Sequence, residues 1–198
     1  MIRLGLTGSI ASGKSTVLAA FAAPDIPVFS SDDAVHALYE GEAKPVVEQL
    51  FPGVTTHGHV DRAALSRALL AAPERLKELE AAVHPLVRKR LAAFFDAAEK
   101  SGARIAVADV PLLFETGFDY GLDAVVVTHA PDQVLRERAL RRPGMSVEKL
   151  DAILARQLPQ AEKLRRADYV IETDVDIAET QTVVAALIET LKAGTGKR

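Results

Sequence analysis

The chain has 198 residues, 48% of them hydrophobic and 26% charged, which is enough to bury a sizeable core and is typical of a soluble globular protein. It contains no cysteine, which excludes disulfide bonds and thiolate metal sites. A formal net charge of −3 gives no general electrostatic reason to bind nucleic acid or an acidic membrane, so neither is expected as a partner.

Short apolar runs rich in β-branched residues alternate with helical patterns along the chain. The opening MIRLGLTG lacks the apolar core of a secretory signal, and no run approaches the roughly 20 residues that span a bilayer, so a cytoplasmic location is expected. Strands are predicted at Ile2–Leu6, Ile26–Phe29, Ile105–Ala108, Ala124–Thr128 and Tyr169–Ile171, and helices at Lys14–Ala22, Pro85–Lys100, Asp132–Arg141 and Ile177–Lys192. Since several strand runs lack polar/apolar alternation, they predict an α/β fold, a doubly wound parallel sheet of about five strands.

Two segments interrupt this alternation. Residues 32–100 contain several helical patterns and no convincing strand, so they are predicted as a helical insertion beside the sheet. Residues 138–166 form a second, highly charged helical stretch. We therefore predict one domain with a core of residues 1–31 and 101–198. The C-terminal segment AGTGKR is predicted to be disordered.

The segment GSIASGKS fits the pattern G-x-x-x-x-G-K-[ST], which arises by chance in about one in a hundred chains of this length. It follows a predicted strand and precedes a predicted helix, as a phosphate-binding loop requires. Its backbone N–H groups can face one anion, and the helix adds its positive end. Lys14 would reach the β- and γ-phosphates, and Ser15 would ligate Mg²⁺. The alternative interpretation of the motif, a glycine-rich turn that binds no ligand, has odds of about one in twenty. The predicted nucleotide-binding residues are Gly8, Ser9, Ile10, Ala11, Ser12, Gly13, Lys14, Ser15 and Thr16.

A second acid follows another strand. The run RIAVADVP ends in Asp109, as in a Walker B strand whose acid approaches the metal through water. The alternative, at about even odds, is that the Asp109 carboxylate caps the turn before Pro111. The chain contains no asparagine, so it lacks the Asn-Lys-x-Asp motif of guanine-specific switches. A small-molecule kinase is favoured over a switch or a motor ATPase, since the two helical segments supply a pocket and a mobile cationic flap.

Six segments, in order, resemble the dephospho-coenzyme A kinase family, a family of P-loop kinases. They are GLTGSIASGKSTV, VFSSDDAV, HPLVRKR at 84–90, VPLLFE at 110–115, PDQVLRERALRR at 131–142, and Gln157 with ADYVIE at 167–172. The resemblance implies transfer of the γ-phosphate of ATP, with Mg²⁺, to the ribose 3′-hydroxyl of dephospho-coenzyme A. It also implies an acceptor-binding role for residues 32–100, a lid at 138–166, and a monomer or weak homo-oligomer. A nucleoside or nucleotide kinase, and an ATP-binding regulator without transfer, remain alternatives.

The pair Asp32 and Asp33 follows the second strand. In the family this strand commonly ends in Asp-Ala-Asp with the second acid catalytic, and the register puts Ser30 at the first acid and Asp32 at the second. From the residues alone, Ser30 or Ser31 could be the N-cap of a helix, and both acids could interact favourably with the positive N-terminal end of that helix. We predict, at about three to one over Asp33, that Asp32 accepts or orients the proton of the acceptor hydroxyl and touches a magnesium-bound water.

Further roles follow from the resemblance. Arg142 is implied as the lid arginine over the triphosphate, although a solvated basic helix is the alternative; Arg138 and Arg141 are left open. The acceptor contacts are implied to be Thr7, His84, Arg88 and Leu112, while Gln157 and the strand end after Ile171 are implied near the ATP base. Ser30, His36 and Ala11 depart from the family pattern; we expect Ala11, which replaces a frequent glycine of the loop, to do little harm.

Overall fold

The computed structural model describes residues 1–23 and 25–194, so the prediction for the last four residues of AGTGKR lies outside the described residues. The strands are β1 Ile2–Gly8, β2 Val28–Ser30, β3 Thr55–Thr56, β4 His59–Val60, β5 Ile105–Asp109, β6 Ala124–His129 and β7 Tyr169–Glu172. The α-helices are α1 Lys14–Phe21, α2 Ser31–Tyr39, α3 Lys44–Leu50, α4 Arg62–Ala71, α5 Leu76–Lys100, α6 Asp132–Leu140, α7 Val147–Leu154, α8 Gln160–Arg166 and α9 Ile177–Lys192.

The main sheet has five strands in the order β2-β5-β1-β6-β7. β1 pairs in parallel with β5 on one side and with β6 on the other, and β6 pairs in parallel with β7. Every residue of β5 is buried, which explains why its sequence is apolar without alternation. The predicted parallel α/β fold is confirmed.

The strand order reverses direction at β1. The chain leaves β1 for β2 on one side of it, and later passes from β5 to β6 on the opposite side. In open parallel sheets, ligands bind outside the carboxyl ends of the strands at such a switch point. The fold therefore directs attention to the end of β1, where the phosphate-loop motif lies.

The described residues form two compact units. One consists of Met1–Phe29 and residues 97–194, and the other of Ser30–Asp96. The core of the first unit joins the sheet to α1 and α9; fully buried members are Leu4, Leu6, Val17, Phe21, Val107, Val126 and Val184. Burying one such side chain stabilises a fold by about 1.5–3 kcal/mol. The second unit has its own apolar cluster, which includes Leu38, Val47, Phe51, Val60, Leu65 and Val83.

The expectation that residues 32–100 contain no strand is wrong. β3 and β4 form an antiparallel hairpin in which Thr55 pairs with Val60 and Thr56 with His59. His57 and Gly58 connect them with φ of 50° and 84°, the backbone that a two-residue hairpin turn requires. Two-residue strands are too short to produce a periodic pattern, so periodicity could not predict them.

The prediction that a helix starts at Pro85 is also wrong. α5 begins at Leu76 and contains Pro85 in its interior. Proline removes the N–H that would bond to the carbonyl of Ala81, but both residues are exposed, so water can satisfy that carbonyl. Among residues 1–23 and 25–194, no helix is both long and apolar enough to cross a membrane.

Candidate active site

The phosphate-loop motif lies between the end of β1 and the start of α1, and its glycines have steric reasons. A Cβ added to Gly8 would lie 2.2 Å from Thr128 Oγ1 and 2.8 Å from the Thr128 carbonyl oxygen, so only glycine lets the strand end pass this close to β6. Gly13 has a φ of 79°, in the left-handed region, where it turns the chain into α1. The loop geometry therefore requires glycine at these two motif positions.

Strand ends hold one side of the loop. The Ser12 and Thr128 hydroxyl oxygens are 2.6 Å apart, and both side chains are buried. The Thr173 hydroxyl lies 3.0 Å from the Ser12 carbonyl oxygen and 2.9 Å from the His129 carbonyl oxygen, and it can donate a hydrogen bond to either. Thr128 and Thr173 were not predicted from the sequence as loop contacts, because nothing local marks a threonine at a strand end as a partner of a distant loop.

The other side of the loop is held by a glutamine. The Ile10 backbone N–H donates to Gln157 Oε1 over 3.0 Å. The resemblance implied Gln157 near the ATP base, which stays a prediction. In the structure its side-chain oxygen accepts from the loop backbone. This contact fixes the direction of one amide before any ligand is present.

Ala11 adopts a left-handed conformation with a φ of 62°. This backbone costs an L-residue with a Cβ about 1–2 kcal/mol, so the expectation that alanine is harmless here needs correction. Its methyl group is buried against Ala139 of α6 and Leu150 of α7, contacts that offset part of the strain. The conformation is therefore held by packing against the two helices that follow β6.

Positive charge converges on the loop. Lys14 Nζ lies 3.1 Å from the Gly8 carbonyl oxygen and 3.3 Å from that of Ser9, so the ammonium group lies against the loop. The first turn of α1 contains no acidic residue to neutralise the helix N-terminus. Ser15, in that turn, is exposed. This combination suits a bound polyphosphate.

Asp109 is brought to the same sheet edge by strand pairing. It lies opposite Leu6 in the register of β5 and β1, and its residue is 6% exposed. Thr7, the next residue of β1, is fully buried, and its hydroxyl donates to the Pro111 carbonyl over 3.4 Å. Leu112 follows and is half-buried. The structure thus brings Thr7 and Asp109 together beside the phosphate loop.

The donor atoms suit a hard cation bound mainly through phosphate oxygens. Among the described residues, no group of three or more His, Cys, Asp or Glu side chains could hold a metal ion by itself. The exposed Ser15 hydroxyl and the Asp109 carboxylate supply oxygen ligands, which Mg²⁺ prefers. Mg²⁺ usually keeps several waters and takes few protein ligands, so this sparse set fits Mg²⁺ carried by a nucleotide.

The three arginines considered for the lid differ in their surroundings. Arg138 Nη2 donates to the Thr173 carbonyl over 2.6 Å, so this side chain is engaged in holding α6 to the end of β7. Arg141 lies 3.9 Å from Glu137 on the same helix. Arg142 is exposed, and its guanidinium makes no hydrogen bond or ion pair within the described part of the chain. Arg142, which has no such contact to give up, is available to a ligand.

The remaining predicted residues belong to the unit Ser30–Asp96. Ser30 is the N-cap of α2, and its hydroxyl accepts from the Asp33 N–H over 3.1 Å. Asp32 and Asp33 are both exposed in the first turn of that helix. His84 and Arg88 are half-buried and one helical turn apart on α5.

Comparison with known proteins identifies the family. The family model for dephospho-CoA kinase matches residues 2–179. A dephospho-CoA kinase from Brucella melitensis is 52% identical over 188 residues, which cover 95% of this chain and 94% of the relative. One from Rhodopseudomonas palustris is 52% identical over 194 residues, which cover 98% and 96%.

Solved structures agree with this result. The crystal structure of a Thermus thermophilus protein aligns with a TM-score of 0.76 and 34% identity over 96% of this chain and 97% of that one. A dephospho-CoA kinase from Campylobacter jejuni aligns with a TM-score of 0.68 and 24% identity over 96% of each chain, which supports the fold alone. With the family model covering most of its length, the chain belongs to the dephospho-CoA kinase family.

Proposed function

We propose that this protein transfers the γ-phosphoryl group of ATP to the ribose 3′-hydroxyl of dephospho-CoA, giving CoA and ADP, the last step of CoA biosynthesis. The observation that carries the proposal is the phosphate loop at the switch point of the sheet, in a chain of this family. We also propose that the reaction takes place in the cytoplasm.

The loop and α1 bind the triphosphate. Backbone N–H groups of residues 8–16 face the phosphates, and the unneutralised N-terminus of α1 adds partial positive charge. Lys14 exchanges its contacts with the loop carbonyls for the β- and γ-phosphates. The Ser15 hydroxyl and, through water, the Asp109 and Asp32 carboxylates would hold Mg²⁺, which supplies charge neutralisation on the phosphates.

Asp32 orients the acceptor hydroxyl and accepts its proton as the hydroxyl oxygen bonds to the γ-phosphorus. The bond from the γ-phosphorus to the β–γ bridging oxygen breaks, and ADP leaves with that oxygen. In phosphoryl transfer, positioning and charge stabilisation supply most of the catalysis, so an exposed carboxylate at a helix start is a sufficient orienting group. Arg142 closes over the transferred group and neutralises charge that spreads over its oxygens.

The two units divide the work in this proposal. The unit with the main sheet binds ATP, and Ser30–Asp96 supplies the acceptor side through His84 and Arg88. Thr7 and Leu112 complete the acceptor contacts, while the segment 138–166 is the lid that carries Arg142. We propose a monomer or a weak homo-oligomer.

One assay tests the reaction. Purified protein is given ATP and Mg²⁺ with and without dephospho-CoA, while ADP is followed by a coupled enzyme and CoA by chromatography. We expect ADP and CoA to form in equal amounts only when the acceptor is present. ATP binding without acceptor-stimulated ADP would contradict the proposal and indicate a regulator or slow hydrolase. Faster turnover with a nucleoside or nucleotide from a parallel acceptor panel would assign the other kinase class.

A further inference from the structure

One buried ion pair has no part in the mechanism above. Lys163 Nζ of α8 lies 2.8 Å from Glu115 Oε1, and the two side chains are 1% and 10% exposed. The contact does not have the direction of a good hydrogen bond, and neither Lys163 Nζ nor Glu115 Oε2 has a hydrogen-bond partner among the described residues. Burying two charges carries a large desolvation cost, so their arrangement calls for a reason beyond stability.

Glu115 also holds the backbone within the segment 138–166. Its Oε1 accepts from the Leu158 N–H over 2.9 Å. The ammonium group of Lys163 approaches the same oxygen, so its charge keeps that oxygen in place as an acceptor. The residue fixed in this way directly follows Gln157.

Gln157 carries this constraint to the phosphate loop. Its side-chain Oε1 accepts from the Ile10 N–H over 3.0 Å. Side chains outside the loop thus bond to it at two residues. Ser12 bonds to Thr128 and Thr173, and Ile10 bonds to Gln157. The connection runs from Lys163 and Glu115 through the Leu158 backbone and Gln157 to a loop amide.

The packing around Gln157 leaves it room to turn away. A cavity of about 350 Å³ is lined by Ile10, Gln157 and Leu158, together with Leu150 and Leu154. Because close packing does not immobilise Gln157 on this side, its rotamer and backbone must be held by other contacts. The bond from Leu158 to Glu115 is one that can do so.

We propose that Glu115 and Lys163 are positioning residues for ATP binding, which orient Gln157 and thereby pre-shape the phosphate loop at Ile10. A loop with this amide already fixed loses less conformational freedom when the triphosphate binds. The inference rests on the proposed ATP binding and is independent of the acceptor. Its readout is therefore the dissociation constant of ATP, measured by titration calorimetry without acceptor.

The experiment uses the full chain and a double-mutant cycle. Gln157→Met removes the acceptor for Ile10 at similar length, and the double change Glu115→Leu with Lys163→Met replaces the buried pair by apolar side chains, which often preserves folding. We expect Gln157→Met and the double variant each to raise the ATP dissociation constant about tenfold, the size of one lost hydrogen bond. The variant that combines all three substitutions should raise it by the same tenfold, because both changes act through the one contact at Ile10. Glu162→Gln is the control. Within residues 1–23 and 25–194, Glu162 pairs only inside α8, with Arg165 and Arg166, so this change should leave binding unchanged.

The outcomes separate this inference from the proposed function. If the ion pair is merely structural, the double variant unfolds at lower urea concentration and its ATP affinity is unchanged. If the ion pair acts independently of Gln157, the rises in the ATP dissociation constant multiply to about a hundredfold in the triple variant. Either result overturns the inference. If the unaltered protein binds no ATP, the proposed function fails as well. Glu115→Gln keeps an acceptor oxygen for Leu158 and should weaken ATP binding less than the double variant.

Discussion

At the scale of single residues, Asp32 and Asp33 form an internally controlled pair. Both carboxylates are exposed in the first turn of α2, where a negative charge interacts favourably with the helix N-terminus. Removing either charge should therefore cost a similar small amount of stability. A difference in activity between the two substitutions then reports chemistry rather than folding.

Asp32→Asn is expected to lower kcat by at least about 100-fold, within the range by which a positioned acid or base accelerates a reaction. Asp33→Asn should change kcat less than about threefold, and both variants should bind ATP as the unaltered protein does. Steady-state kinetics with dephospho-CoA and calorimetry with ATP check this. Equal losses of kcat in the two variants would show that the register of the catalytic acid is wrong.

At the scale of helices and strands, what could be predicted depended on how local the signal was. α1 begins at Lys14 as predicted, and α9 has the predicted bounds, because motif and periodicity are local. Central strands such as β5 were recognisable because burial on both faces leaves an uninterrupted apolar run. The β3–β4 hairpin is too short to show a period, and the early start of α5 was obscured by Pro85.

The same distinction applies to the site. The glycines and Lys14 could be read from one motif, because the chemistry of phosphate binding dictates their spacing. The contacts that hold the loop come from Thr173 and Gln157, which are far away in the chain. Lys163 lies in the highly charged stretch of residues 138–166, yet its side chain is buried against Glu115. Tertiary pairing of this kind has no local pattern from which it could be predicted.

Glu48 provides a prediction about one element, the turn from α3 into β3. Its two carboxylate oxygens accept from the Gly53 N–H over 2.7 Å and the Thr55 N–H over 2.8 Å. The hydrogen bond from the Gly53 backbone, then that from Thr55, holds the pKa of this carboxyl below its ordinary value of 4.5. A lowered folded-state pKa means that the stabilisation is complete above the ordinary pKa and is lost as the pH falls through the folded-state value.

Glu48→Gln should therefore unfold at a lower urea concentration than the unaltered protein at pH 7, and the difference should shrink as the pH is lowered below about 4. Urea titrations at a series of pH values measure it. Glu40→Gln is the control, because Glu40 is exposed and accepts no side-chain hydrogen bond in the described part of the chain. A difference independent of pH would contradict a role for the ionised carboxylate.

At the scale of the whole molecule, a net charge of −3 opposes the approach of a polyanion such as ATP. Attraction must be generated locally, by Lys14 and the N-terminus of α1 at the carboxyl edge of the sheet. A ligand that binds only the native state stabilises the protein by mass action, by about 2.7 kcal/mol at a concentration of 100 times its dissociation constant. Global stability is therefore a readout of this one local site.

Saturating ATP with Mg²⁺ should raise the Tm of the unaltered protein by about 5–10 °C, since 1 kcal/mol corresponds to about 2–4 °C in a chain of this size. Lys14→Ala should abolish most of this shift, because it removes the only full positive charge within the loop motif GSIASGKS. Lys44→Ala is the matched control: Lys44 Nζ donates to the Gly58 carbonyl over 2.9 Å, so both substitutions remove a lysine bound to a backbone carbonyl. An undiminished shift in Lys14→Ala would mean that the nucleotide binds elsewhere, whereas a shift lost in both variants would trace it to general charge rather than to the loop.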